Sequence, residues 1–168
     1  ININSGSGTI LLDGQSYTYG SLYSSGINIG IQNSSKSFSI TSSNTTSQAI
    51  RVIGKNNINQ TDGYTYGVAS YQSGSFQALG LGGGIEINFQ ATGDIYGFAT
   101  PSEINFLAKS GPIKFLDNRS DGRIYFNSAP YFGSKSGTSV SSSSSEITIQ
   151  SDTFEWGTNN PNISTTGS

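Results

Sequence analysis

The 168-residue chain sets 8 Lys and Arg against 10 Asp and Glu, a net charge of −2, and has no histidine, cysteine or methionine. That balance excludes disulfides, zinc–thiolate sites and histidine-based acid–base chemistry, and it leaves no basic footprint for nucleic acid. Only 33% of the chain is apolar, yet 11% is aromatic and isoleucine recurs throughout, which is too much for simple disorder and enough for one cored domain.

Apolar and polar residues alternate along the chain: Ile1-Asn2-Ile3, then Ile27-Asn28-Ile29-Gly30-Ile31, Ile85-Glu86-Ile87-Asn88-Phe89, Ile124-Tyr125-Phe126 and Ile147-Thr148-Ile149. A period of two is a strand pattern. Turn formers separate the runs at Ser7-Gly8, Asp13-Gly14, Asp62-Gly63, Thr92-Gly93-Asp94, Asp121-Gly122 and Ser136-Gly137. The best helix candidate, "SQAIRVI" at 47–53, is short and β-branched and reads as strand. The segment "FQALGLGGGIEIN" reads as a hairpin or as a corner. An all-β chain is expected.

One phrase occurs twice. Shifted by 103 residues, the start of the chain overlays "INFLAKSGPIKFLD", matching Ile1 with Ile104, Asn2 with Asn105, Ser7 with Ser110, Gly8 with Gly111 and Ile10 with Ile113. Strand runs restart at Ile85, Ile104, Ile124 and Ile147, so a parallel β-helix, a solenoid with coils of about 20 residues, is expected over 1–168. The Ser-rich stretch 134–146 would bulge from it as a polar loop. In such a stack, inward Ile and Phe lie on their counterparts, and low charge avoids like-charge stacking. A β-sandwich or jelly roll also alternates and remains an alternative.

The form I-N-I-x-x-x-S-G-x-I-x-L at 1–12, echoed at 104–115, resembles the coils of secreted bacterial passengers: filamentous-haemagglutinin-like exoproteins and autotransporter adhesins, including vacuolating-cytotoxin-like ones. The resemblance implies a right-handed β-helix that is extracellular or at the cell surface. It would mediate contact with a host or neighbouring-cell surface glycan or protein, with no catalytic residues. A phage tail-fibre or tailspike segment binding a surface glycan is the alternative, and a polysaccharide-acting β-helix enzyme a third. No apolar run reaches the roughly 20 residues that span a bilayer. The chain has no initiator methionine and no visible signal peptide, so a fragment or processed product is expected, with self-association along the solenoid as a further partner class.

The chemistry-bearing residues are few. The glycines of "GLGGGIE" lack the following helix and Lys-Ser/Thr of a phosphate loop and read as a corner. Glu86 and Glu103 are the acids nearest to a catalytic pair, but they fall out of phase, while Asp13, Asp62 and Asp121 precede glycine as turn residues do. No calcium repeat appears, so neither metal nor cofactor is expected. The five N-x-S/T sequons, at Asn33, Asn44, Asn59, Asn118 and Asn162, follow from the abundance of Asn, Ser and Thr. Phe89, Phe106, Phe115 and Phe126 fit inward positions. Tyr17, Tyr19 and Tyr23, with Tyr64, Tyr66 and Tyr71, lie in polar surroundings and are the candidate contact residues, because tyrosine offers area and a hydroxyl at low entropic cost. The competing reading is plain strand packing.

Overall fold

The computed structural model describes every residue except 18–22, 31–35, 58–63, 92–97, 101–102, 118–121, 129, 158–159 and 167–168, and describes the backbone alone at 23, 64, 91 and 98–100. The described residues form sixteen strands and no helix. In chain order these are β1 (Asn2–Asn4), β2 (Ile10–Ser16), β3 (Tyr23–Ile29), β4 (Phe38–Ser42), β5 (Ile50–Asn56) and β6 (Tyr64–Ser70). Then follow β7 (Gly74–Ala78), β8 (Ile85–Ala91), β9 (Phe98–Thr100), β10 (Ile104–Ala108) and β11 (Ile113–Leu116). The last five are β12 (Arg123–Phe126), β13 (Tyr131–Gly133), β14 (Ile147–Gln150), β15 (Thr153–Trp156) and β16 (Asn162–Ser164).

The strands sort into three sheets, ordered β1-β4-β7-β10-β13-β16, β14-β11-β8-β5-β2 and β15-β12-β9-β6-β3. Each strand therefore pairs only with the third before it or the third after it, the ten inner strands with both, and every pairing is parallel. The register turns the alternating pattern into columns. Ile3, Ile40, Phe76, Phe106, Phe132 and Ile163 follow one another across the first sheet. Ile10, Ile50, Ile85, Ile113 and Ile147 do so in the second, and Ile27, Val68, Phe98, Ile124 and Phe154 in the third.

Side chains from the inner faces of all three sheets join one apolar cluster. Phe106 is its hub: its ring lies 5.4 Å from both Phe76 and Phe132 in its own sheet, 4.5 Å from Phe115 in the second and 6.2 Å from Phe126 in the third. The expected inward residues Phe89, Phe106, Phe115 and Phe126 are at most 1% exposed, as are Ile85, Ile87, Ile104, Ile113 and Ile124.

The 103-residue shift between the two copies of the phrase matches the register, since it carries Ile3 to Phe106 and Ile10 to Ile113 down shared columns. The 20-residue coil does not. Ile85 pairs with Ile113, 28 residues on, and the runs at Ile85, Ile104 and Ile124 lie in three different sheets. Strands of three residues such as β9 and β13 are too short to show alternation, so the sequence spacing passed over them. Residues 79–84 are a corner between β7 and β8, which belong to different sheets, and not a hairpin. Gly82 takes φ +80° there, which only glycine adopts without strain. Asp13 and Gly14 form no turn but lie within β2, where the glycine has a packing role described below.

The Ser-rich stretch 134–146 is anchored at several points. It contains no strand, yet Val140, Ser143 and Ser145 are buried. Ser143 Oγ and Ser145 Oγ both donate to the Ala108 carbonyl, at 2.6 and 2.9 Å, and the Ser144 amide donates to the Lys109 carbonyl at 3.0 Å. Hydroxyl-rich sequence here extends the hydrogen bonding of β10 beyond its last residue.

Candidate functional site

Two glycine pairs decide where the tyrosines go. Gly14 and Gly54 are register partners on β2 and β5. A Cβ at Gly14 would lie 2.4 Å from the Gly26 carbonyl oxygen, and one at Gly54 2.1 Å from that of Gly67. Only bare backbone permits this approach. It brings the end of β2 against the start of β3, and the end of β5 against the start of β6.

A polar corner lies beyond the glycines. Ser16 Oγ and Ser24 Oγ are 2.9 Å apart, Asn56 Nδ2 donates to the Ser24 carbonyl at 2.9 Å, and Asn56 and Thr65 are fully buried. The Thr65 hydroxyl has no hydrogen-bond partner among the described residues. Tyr17 directly follows β2 and is 68% exposed. Tyr23 and Tyr64 open β3 and β6 as register partners, and Tyr66 pairs with Ser25 and is half-buried. The structure thus gathers Tyr17, Tyr23, Tyr64 and Tyr66 along one edge. Tyr71 is not part of it: it follows the far end of β6, about 20 Å along at 3.3 Å per residue, where its amide donates to the Ile29 carbonyl at 2.9 Å. Tyr19 lies outside the described residues.

The acids are separately engaged. On the outer face of the second sheet, Arg51, Glu86 and Lys114 are consecutive register partners. Arg51 Nε donates to Glu86 Oε1 at 2.9 Å, and Gln48 Nε2 donates to Glu86 Oε2 at 2.7 Å. Glu103 is paired with Lys135, whose ammonium also lies 4.3 Å from the Tyr131 ring centroid. Glu86 and Glu103 do not face one another across a cleft. Asp62 and Asp121 lie outside the described residues. Among the described residues there is no group of three or more potential metal-ligating side chains, and no helix is long and apolar enough to cross a membrane.

Sequence reasoning missed the Arg51–Glu86–Gln48 network because its partners lie 35 and 38 residues apart. The one available signal was opposite charge at matching outward positions of two alternating runs. Searches of protein-family models, of curated proteins and of solved structures each found no match to this chain.

Proposed function

We propose that the chain is a stretch of right-handed parallel β-helix, three strands to a coil, which serves a secreted passenger of the bacterial adhesin or autotransporter type as a contact surface outside the cell. The pairing of every strand with its third neighbour carries this reading. A chain that returns to the same parallel ladder after two intervening strands winds as a coil, and parallel crossovers favour the right hand. The inward columns supply a rod's core and leave the outward positions free for display.

Non-catalytic contact is favoured over hydrolysis because Glu86 and Glu103 are each tied to a cation and too scattered to act as a pair. The tyrosine edge is the contact site: it brings tyrosine positions of two paired strands together with Ser16, Ser24 and Asn56 on a backbone locked by the glycine pairs. The ligand class is a surface glycan or protein.

Fluorescently labelled chain should bind intact cells or an immobilised glycan panel. Tyr17→Ala with Tyr66→Ala should weaken that binding about tenfold, the loss of a modest hot spot, with an unchanged melting curve. Undiminished binding by the double variant removes the edge from the reading, and release of new reducing ends from polysaccharide replaces it with catalysis.

A further inference from the structure

Arg51 is held in an unusual way for a ladder charge. Glu86 takes only its Nε–H, and the second Glu86 oxygen is taken by Gln48, so the carboxylate does not close the guanidinium fork. Among the described residues the two terminal guanidinium nitrogens have no partner. Their side chain is 37% exposed, whereas that of Glu86 is 11% exposed. A nearly buried carboxylate therefore holds the guanidinium by its Nε and leaves the two terminal nitrogens unengaged.

Arg51 borders an open groove of about 370 Å³, whose lining includes Thr9, Leu11, Thr46, Ser47 and Gln48. It lies where the corner before β5 meets the outer face of the second sheet. Leu11, in register with Arg51, is 59% exposed and supplies an apolar floor, while Thr9 and Ser47 add hydroxyls. Lys114, the partner of Glu86 on its other side, leaves the local balance of Arg51, Glu86 and Lys114 positive. A planar fork of pre-oriented donors, a net positive charge and an apolar floor together suit a carboxylate carried on a small organic body.

We propose that this groove binds a carboxylate-bearing ligand, with Arg51 as the residue that reads the carboxylate and Glu86 as its positioning residue. The site shares no residue with the tyrosine edge and stands or falls independently of it. If Arg51 were only a rung in a charge ladder, added carboxylates would leave its guanidinium resonances unmoved.

The test is NMR titration of the whole chain, following Arg51 Nε–H and the Leu11 methyls. One arm uses the methyl glycoside of N-acetylneuraminic acid, the other N-acetylglycine as a mimic of a peptide terminus, and the methyl ester of each serves as the neutral control. Saturable shifts with a Kd on the order of 1 mM are expected from at least one acid, and the arm that responds names the source of the carboxylate. The ester should bind about tenfold more weakly, as should Arg51→Lys, which keeps the charge but loses the fork. Arg51→Gln should abolish the shifts of the Leu11 methyls, and Glu86→Gln should weaken binding several-fold with the fold intact. Absence of saturable shifts from both acids overturns the proposal, and so does unchanged affinity in Arg51→Gln or Arg51→Lys.

Discussion

Phe106 and Phe115 meet edge to face with ring centroids 4.5 Å apart, although the first belongs to β10 in the first sheet and the second to β11 in the second. Eight residues of chain lie between them, and the contact ties two inner faces together at the hub of the core.

Phe106→Ala should therefore cost about 3–5 kcal/mol, the range for truncating a fully buried phenylalanine. Phe154→Ala, on the half-buried ring at the end of its column, should cost clearly less. Urea unfolding of the two variants checks the order, and equal losses would mean that the hub is not where the rings place it.

Gly54→Ala should destabilise by about 1–3 kcal/mol through forced overpacking, because its Cβ would meet the Gly67 carbonyl oxygen. Gly137→Ala provides a contrast. Nothing lies within 4 Å of a Cβ there, but φ is +78°, so the cost should be the conformational one alone, about 1–2 kcal/mol. The Gly54 variant should also shift the resonances of Ser16, Ser24 and Tyr66, whereas the Gly137 variant should leave them in place.

Replacing Ser143 and Ser145 together by alanine should cost about 1–2 kcal/mol, since each loses a neutral hydrogen bond to Ala108. Amide exchange at Ser144, which is bonded to the Lys109 carbonyl, should accelerate. Wild-type stability and exchange in this variant would restore the picture of a freely solvated loop.

Glu86→Lys would set three cations in a row with Arg51 and Lys114 at strand spacing. Like charges directly opposite repel, and salt screens them only in part, because the side chain at 86 is nearly buried while that of Arg51 is 37% exposed. The variant should lose about 1 kcal/mol or more at low ionic strength and recover part of it at high salt. A salt-independent loss would point to broken packing around Gln48 instead.

The repeated phrase was legible because both its apolar strand positions and its Ser-Gly corner recur at one distance, and the register bears out the columns that run from Asn2 to Asn105, from Ile3 to Phe106 and from Ile10 to Ile113. The number of strands between repeats was not legible. β9, β13 and β16 have three residues each, too few to display a period, and the connections vary from the two residues between β14 and β15 to the thirteen between β13 and β14. At the candidate site, tyrosine composition pointed to the stretches 17–23 and 64–71, but the separation of Tyr71 depended on the length of β6. The Arg51–Glu86 pair needed the register itself, which no local pattern carries. The burial of Ser143 and Ser145 was hidden for a related reason, since serine shows no preference that distinguishes a solvated loop from one bonded to a neighbouring strand.

Pairing with the third neighbour has a kinetic corollary. Every ladder contact joins residues between 26 and 41 positions apart, from Phe98 with Ile124 to Ile27 with Val68, and none closes a tight hairpin. Among the described strands none gains a backbone partner until two further strands have been laid down, so loop-closure entropy precedes each reward. Folding should then begin where the separation between paired strands is smallest. The shortest spacings, 26 residues from Asn105 to Tyr131 and from Phe98 to Ile124, fall around the phenylalanine-rich middle, while Ile10 and Ile50 are 40 apart. Nucleation at β9 to β13 with growth outward toward β1 would make refolding slow, in the millisecond-to-second range of non-local topologies, and would leave the tyrosine edge among the last parts to form.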